Sequence, residues 1–118
     1  MTHQPNPNSA LPHHRLVAYG VAVELLQAVR AARIRDARPR EQALRAAKSA
    51  CLNSAEGAGR VTRADKARAF AIARGEAVEA IAAVEIAGYA GDAPEGAAAW
   101  CVEIGRRLVA LLTGLTRA

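Results

Sequence analysis

Histidine is missing from everything after position 14 of this 118-residue chain, and aromatic residues make up only 3% of it. The first absence removes the commonest catalytic use of a helical bundle, a di-metal centre built from Glu-x-x-His pairs on facing helices. It also leaves Ser49 and Cys51 without an imidazole partner for nucleophilic catalysis. His3, His13 and His14 sit near the N terminus with no third fixed ligand for a metal. The second absence leaves a core of Leu, Ile, Val and Ala. Small side chains let helices approach closely but bury little each, about 0.8 kcal/mol per CH₂, and so thin a core gains from an oligomeric interface. The two cysteines, Cys51 and Cys101, form no CxxC pair. With no signal peptide ahead of them they read as small buried hydrophobes rather than a disulfide or a metal site. No apolar run reaches the roughly 18 residues of a bilayer span. No Gly-rich phosphate loop follows a strand, and Gly57-Ala-Gly59-Arg60 reads as a helix ending. The expectation is a soluble, cytoplasmic protein that is not an enzyme and has no cofactor, metal, membrane partner or small-molecule substrate.

What is present is charge, unevenly spread. The net charge is +5, from 16 basic and 11 acidic residues. Seven basic residues fall between Arg30 and Lys48 against Asp36 and Glu41, and five more between Arg60 and Arg74 against Asp65. From Glu76 to Glu103 there are six carboxylates and neither Lys nor Arg. The chain is therefore electrically polarised along its length.

The hydrophobic pattern is helical throughout, with no strand and no internal repeat. Residues 1–12, MTHQPNPNSALP, hold three prolines and little to bury, and read as a disordered tail ahead of a single domain over 13–118. A first helix is expected from His13 to Arg35, with Val17, Val21, Leu25, Val29 and Ala32 inward, ended by Asp36-Ala37-Arg38-Pro39. A second runs from Arg40 to Ala58, and Gly57 and Gly59 permit its exit. Thr62 and Asp65 form a capping-box-like start to a third, whose seam is Phe70, Ala73, Ala77, Ile81, Val84 and Gly88. Gly75 and Gly88 each cost roughly 1 kcal/mol relative to Ala, which points to close helix approach there. Asp92 caps a fourth helix with Pro94 in its first turn. That helix carries the stripe Ala97, Cys101, Ile104, Leu108, Leu111 and Leu115, and Val102, Val109 and Leu112 add apolar surface suited to a subunit contact. Short connections make this an all-α, antiparallel up-down-up-down four-helix bundle.

The second helix holds the most specific signal. At about 100° per residue, Arg45, Ser49, Asn53, Glu56 and Arg60 fall within roughly 80° of one another, and Leu44, Ala47, Cys51, Ala55 and Ala58 lie nearly opposite as the core face. A solvated face accounts for the stripe, but Ser49 and Asn53 are mediocre helix formers where Glu or Lys would serve better. Arg45-x-x-x-Ser49-x-x-x-Asn53-x-Ala55-Glu56-Gly57, followed by Gly59-Arg60 and by Phe70-x-Ile72-Ala73-x-Gly75-x-x-x-Glu79, resembles the signature of a four-helix-bundle family. That family includes proteins encoded by intervening sequences inside large-subunit ribosomal RNA genes and the accessory variability proteins of diversity-generating retroelements. The likeness covers the chain after residue 14. It departs at Ser54, where the family commonly has a branched residue, and at Glu76, where it commonly has Ser; the second bears on a contact between helices.

The resemblance implies a homo-oligomer, in the retroelement proteins a basic pentameric barrel that binds nucleic acid and a reverse transcriptase. It makes Arg45, Ser49, Asn53 and Glu56 a hydrogen-bond network between helices or subunits, with Glu56 also within reach of Arg60. From charge alone, Arg33, Arg35, Arg38 and Arg40 around the first turn, with Arg60, Arg63 and Lys66 at the start of the third helix, are the candidates for phosphate contact. An antiparallel bundle holds these clusters at opposite ends. Two functions stand side by side: a self-associating nucleic-acid-binding protein, and a protein interaction module whose arginines are solubilising charge.

Overall fold

A computed structural model describes residues 10–117. The tail reading for residues 1–9 lies outside the described residues. Four helices, α1 (Val17–Ala31), α2 (Ala37–Gly59), α3 (Arg63–Tyr89) and α4 (Glu95–Leu115), follow a 3₁₀ turn at Pro12–Arg15. Each packs mainly on its neighbours in the cycle α1, α2, α3, α4 and back to α1, while the diagonals barely touch, so the helices stand at the corners of a square. This is the antiparallel bundle that the short connections dictate.

The first helix is shorter than its periodicity suggests. Helical geometry stops at Ala31, where the Ala32 amide still donates to the Ala28 carbonyl at 3.0 Å. Arg33 then takes a left-handed φ of 49°, which turns the chain so that Ile34 drops into the core. Pro39 does not end α1. It lies in the first turn of α2, where a missing N–H breaks no helical bond, and the Asp36 side chain caps that turn by accepting from the Arg38 amide at 3.4 Å. Val17 lies on the surface rather than in the core.

The core face of α2 also differs from expectation. The buried residues are Ala43, Ala46, Ala47, Ala50, Ser54 and Gly57, a line rotated by roughly a quarter turn toward the polar stripe. Leu44, Cys51, Ala55 and Ala58 are half-buried along one flank. The smallest side chains go inside because α3 lies close: a Cβ on Gly57 would stand 2.6 Å from the Phe70 ring. Gly105 gives α3 the same access to α4, where Ile81 fills the space a Cβ would need, and a Cβ on Gly88 would stand 3.1 Å from that of Ala98. Nothing approaches Gly75, so close packing does not account for that glycine.

Thr62 caps α3 as its sequence suggests, its hydroxyl accepting from the Asp65 amide at 3.1 Å. Asp92 does not cap α4; Pro94 holds that position and supplies no side-chain bond. Asp92 instead ties two turns together. Its carbonyl accepts from the Arg35 amide at 2.7 Å, its own amide donates to the Ala87 carbonyl at 2.8 Å, and its carboxylate lies 3.8 Å from the Arg35 guanidinium. Leu112 belongs to the core beside Leu108 and Cys101, whereas Leu111 and Leu115 are half-buried.

Candidate nucleic-acid interface

The basic residues of the α1–α2 turn divide by what their side chains already do. Arg35 donates to the Gly91 carbonyl at 2.9 Å besides facing Asp92. Arg40 donates to the carbonyls of Ile34 and Arg35 at 3.1 and 3.3 Å, fastening the turn that ends α1. At one end of the bundle the Arg35 guanidinium ties the α1–α2 connection to the α3–α4 connection, and that of Arg40 fastens the α1–α2 connection itself. Arg33 and Arg38 are exposed and have no side-chain hydrogen bond or ion pair among the described residues.

At the opposite end the division repeats. The Lys66 ammonium donates to the carbonyls of Ala58 and Gly57 at 2.9 and 3.4 Å, satisfying the last turn of α2. Arg60 lies 3.5 Å from Glu56 one turn back, as their spacing suggests. Arg63 and Arg68 are exposed without such a partner among the described residues, but Asp65 and Glu56 stand beside Arg60 and Arg68 around a cavity of about 310 Å³. Carboxylates stand at both ends: Glu56 and Asp65 here, Asp36 and Asp92 beside the α1–α2 turn. The seven candidates are not brought together: Arg33, Arg35, Arg38 and Arg40 surround one end, and Arg60, Arg63 and Lys66 the other.

The polar stripe on α2 also resolves into parts. Arg45 reaches across to α3, pairing with Glu79 and, at 3.3 Å, with Glu76. The Glu79 carboxylate, followed by that of Glu76, raises the guanidinium pKa above its ordinary value. Asn53 donates within its own helix, to the Ser49 carbonyl at 2.9 Å and the Ser49 hydroxyl at 3.1 Å. Glu56 pairs with Arg60. Within one subunit the inter-helix part of the stripe is Arg45 with its two carboxylates. Glu76 and Glu79 are the residues that sequence reasoning undervalued. An i, i+3 glutamate pair resembles any solvated face, and its distinguishing signals were the place of Glu79 at the end of the motif and the Glu in place of Ser at position 76.

Among the described residues no group of three or more His, Cys, Asp or Glu is placed to hold a metal ion. The His13 ring lies tilted against that of His14 and edge-on to that of Tyr19, and partial burial followed by the charge of His14 lowers its pKa. Burial pushes the thiols of Cys51 and Cys101 up to about 11, so both remain protonated and poorly nucleophilic near neutrality. No helix among the described residues is long and apolar enough to cross a membrane.

Residues 17–112 match the family model described as 23S rRNA-intervening sequence protein. No curated protein matches the chain.

Proposed function

The chain belongs to the 23S rRNA-intervening sequence protein family, and from that premise we propose that it is a non-catalytic, self-associating bundle that binds nucleic acid through phosphate contacts at its α1–α2 end. The observation that carries the reading is the division of labour among the arginines there. Arg35 and Arg40 are spent on backbone carbonyls, while Arg33 and Arg38 project without a protein partner among the described residues. A planar guanidinium with unused donors suits phosphate oxygens. The scarcity of aromatic residues leaves little for base stacking, so binding is led by the backbone and weakly selective for sequence. A reverse transcriptase, the further partner implied by the resemblance, is an expectation of the same reading and is tested by co-purification.

The test is binding of labelled single-stranded RNA, duplex RNA and duplex DNA at about 50 and 200 mM salt. Phosphate-led binding should weaken by about tenfold or more over that range. Arg33→Glu/Arg38→Glu should abolish most of it and Arg60→Glu/Arg63→Glu should leave most of it intact. Absence of salt-sensitive binding would make these arginines solubilising charge and the partner a protein.

A further inference from the structure

The outward side of α3 is apolar where a surface helix should be polar. Around this helix Ala73, Ala77, Ala80, Val84 and Ala87 point into the core. On the opposite side, at about 100° per residue, lie Gly75, Val78, Ala82, Ile86 and Tyr89. Val78 is 44% exposed, Ile86 61% and Tyr89 82%. A helix apolar on both sides is normally covered on both.

This stripe continues into a groove against α4. Two adjoining depressions, about 660 and 280 Å³, share Glu85 and Arg106 and are floored by Val78, Ala82, Ala98, Val102 and Val109. The rim is acidic: Glu85, Glu95 and Glu103 stand around it, and Arg106 is the counter-charge, itself 4.0 Å from Glu103. The opposite, α1–α2 side carries the other sign. Arg30 and Lys48 are exposed there without an ion-pair partner among the described residues, against Glu41. Leu52 is 66% exposed in the next turn after Lys48, and Leu26 and Leu44 are half-buried nearby on α1 and α2.

We propose that the apolar, acid-rimmed face of α3 and α4 receives the basic α1–α2 side of a second copy of this chain, so that subunits join head to tail. The inference rests on the self-association in the functional reading and adds the surface and its polarity. Charge decides between the two ways a face can pair. In a two-fold contact the glutamate rims would confront each other, with like charges opposed. In a head-to-tail contact Glu85 and Glu103 meet Arg30 and Lys48, the apolar strips are covered, and each subunit keeps one face for the next, as ring closure requires.

Charge reversal tests this, with mass measured by light scattering at about 150 mM salt and helicity by circular dichroism. Wild-type protein should run as an assembly. Glu85→Arg/Glu103→Arg and Arg30→Glu/Lys48→Glu should each fall to the mass of the single 118-residue chain with helicity unchanged. An equimolar mixture of the two variants should regain mass well above that of the single chain, because each variant's faces meet opposite charge on the other, although an odd-membered ring cannot close from strictly alternating subunits. A second route to the same surface, Ile86→Ser/Tyr89→Ser, should also lower the mass. A wild-type monomer would overturn self-association altogether. Wild-type assembly with charge variants that remain assembled would overturn this surface alone, and two monomeric variants that do not rescue each other would overturn the head-to-tail pairing.

Discussion

Ser54 shows how one side chain can sit at odds with its surroundings. It is fully buried in the core-facing line of α2, and its hydroxyl has no hydrogen-bond partner among the described residues. Desolvating a hydroxyl without replacing its water contacts costs on the order of 1–3 kcal/mol. Ser54→Ala removes that cost, keeps nearly the same volume and improves helix propensity. The midpoint of urea unfolding should rise, corresponding to a gain of about 1 kcal/mol. A fall would mean that the hydroxyl is bonded in solution, for instance to a buried water. Ser54 was legible in the sequence as a departure from a family that commonly has a branched residue there. Its burial was not, because residue spacing put the core face a quarter turn away.

At the scale of the helix, what the sequence displays depends on whether packing follows side-chain size or polarity. The number of helices, their order and the Thr62 cap are written in local patterns, and the structure has them. The core face of α2 is not, because alanines lie all round that helix and the largest apolar residues, Leu44 and Leu52, are left half-buried and exposed. Close approach to α3 selects Ala43, Ala50 and Gly57 instead. The end of α1 was hidden for a similar reason: Ile34 extends the apolar periodicity but is buried through a turn at Arg33. The candidate phosphate ligands were visible as charge, whereas their division into Arg35, Arg40 and Lys66, which bond backbone carbonyls, and Arg33, Arg38 and Arg63, which do not, needed three dimensions. Glycines test the packing account directly. Gly57→Ala gains up to about 1 kcal/mol of helix propensity but drives a methyl against the Phe70 ring, and overpacking of this kind costs typically about 1–3 kcal/mol. Gly75→Ala meets nothing within 4 Å and should keep the propensity gain. Thermal unfolding should therefore separate the two, with Gly57→Ala lower and Gly75→Ala higher than wild type. Equal effects would remove the size argument for the α2–α3 contact.

For the molecule as a whole, the governing feature is the distance between its two basic ends. The 23 residues of α2 separate the Arg33–Arg38 end from the Arg60–Arg63 end, and at 1.5 Å per residue this is about 34 Å. Duplex DNA covers that distance in about ten base pairs. A longer duplex can in principle lie along α2 and touch both ends of one subunit, in which case each end contributes to the salt dependence. The surface between them is mixed: Lys48 is exposed without an ion-pair partner among the described residues, but Glu41 is exposed on the same helix, Glu76 and Glu79 neutralise Arg45, and Glu56 pairs with Arg60. Binding led by one end predicts that, for a duplex of about 24 base pairs, Arg60→Glu/Arg63→Glu leaves the slope of log K against log salt unchanged. Arg33→Glu/Arg38→Glu should reduce it by about 2, roughly one unit for each phosphate no longer neutralised. Equal reductions from the two variants would mean that the duplex spans the subunit lengthwise. The proposed head-to-tail contact through the α3–α4 groove would set the Arg33–Arg38 ends of all subunits on the same rim of the assembly. An assembly with one basic rim should accordingly bind the long duplex more tightly than the monomeric Glu85→Arg/Glu103→Arg variant does, although that variant carries more positive charge. Tighter binding by the variant would show that net charge, not the arrangement of the ends, sets the affinity.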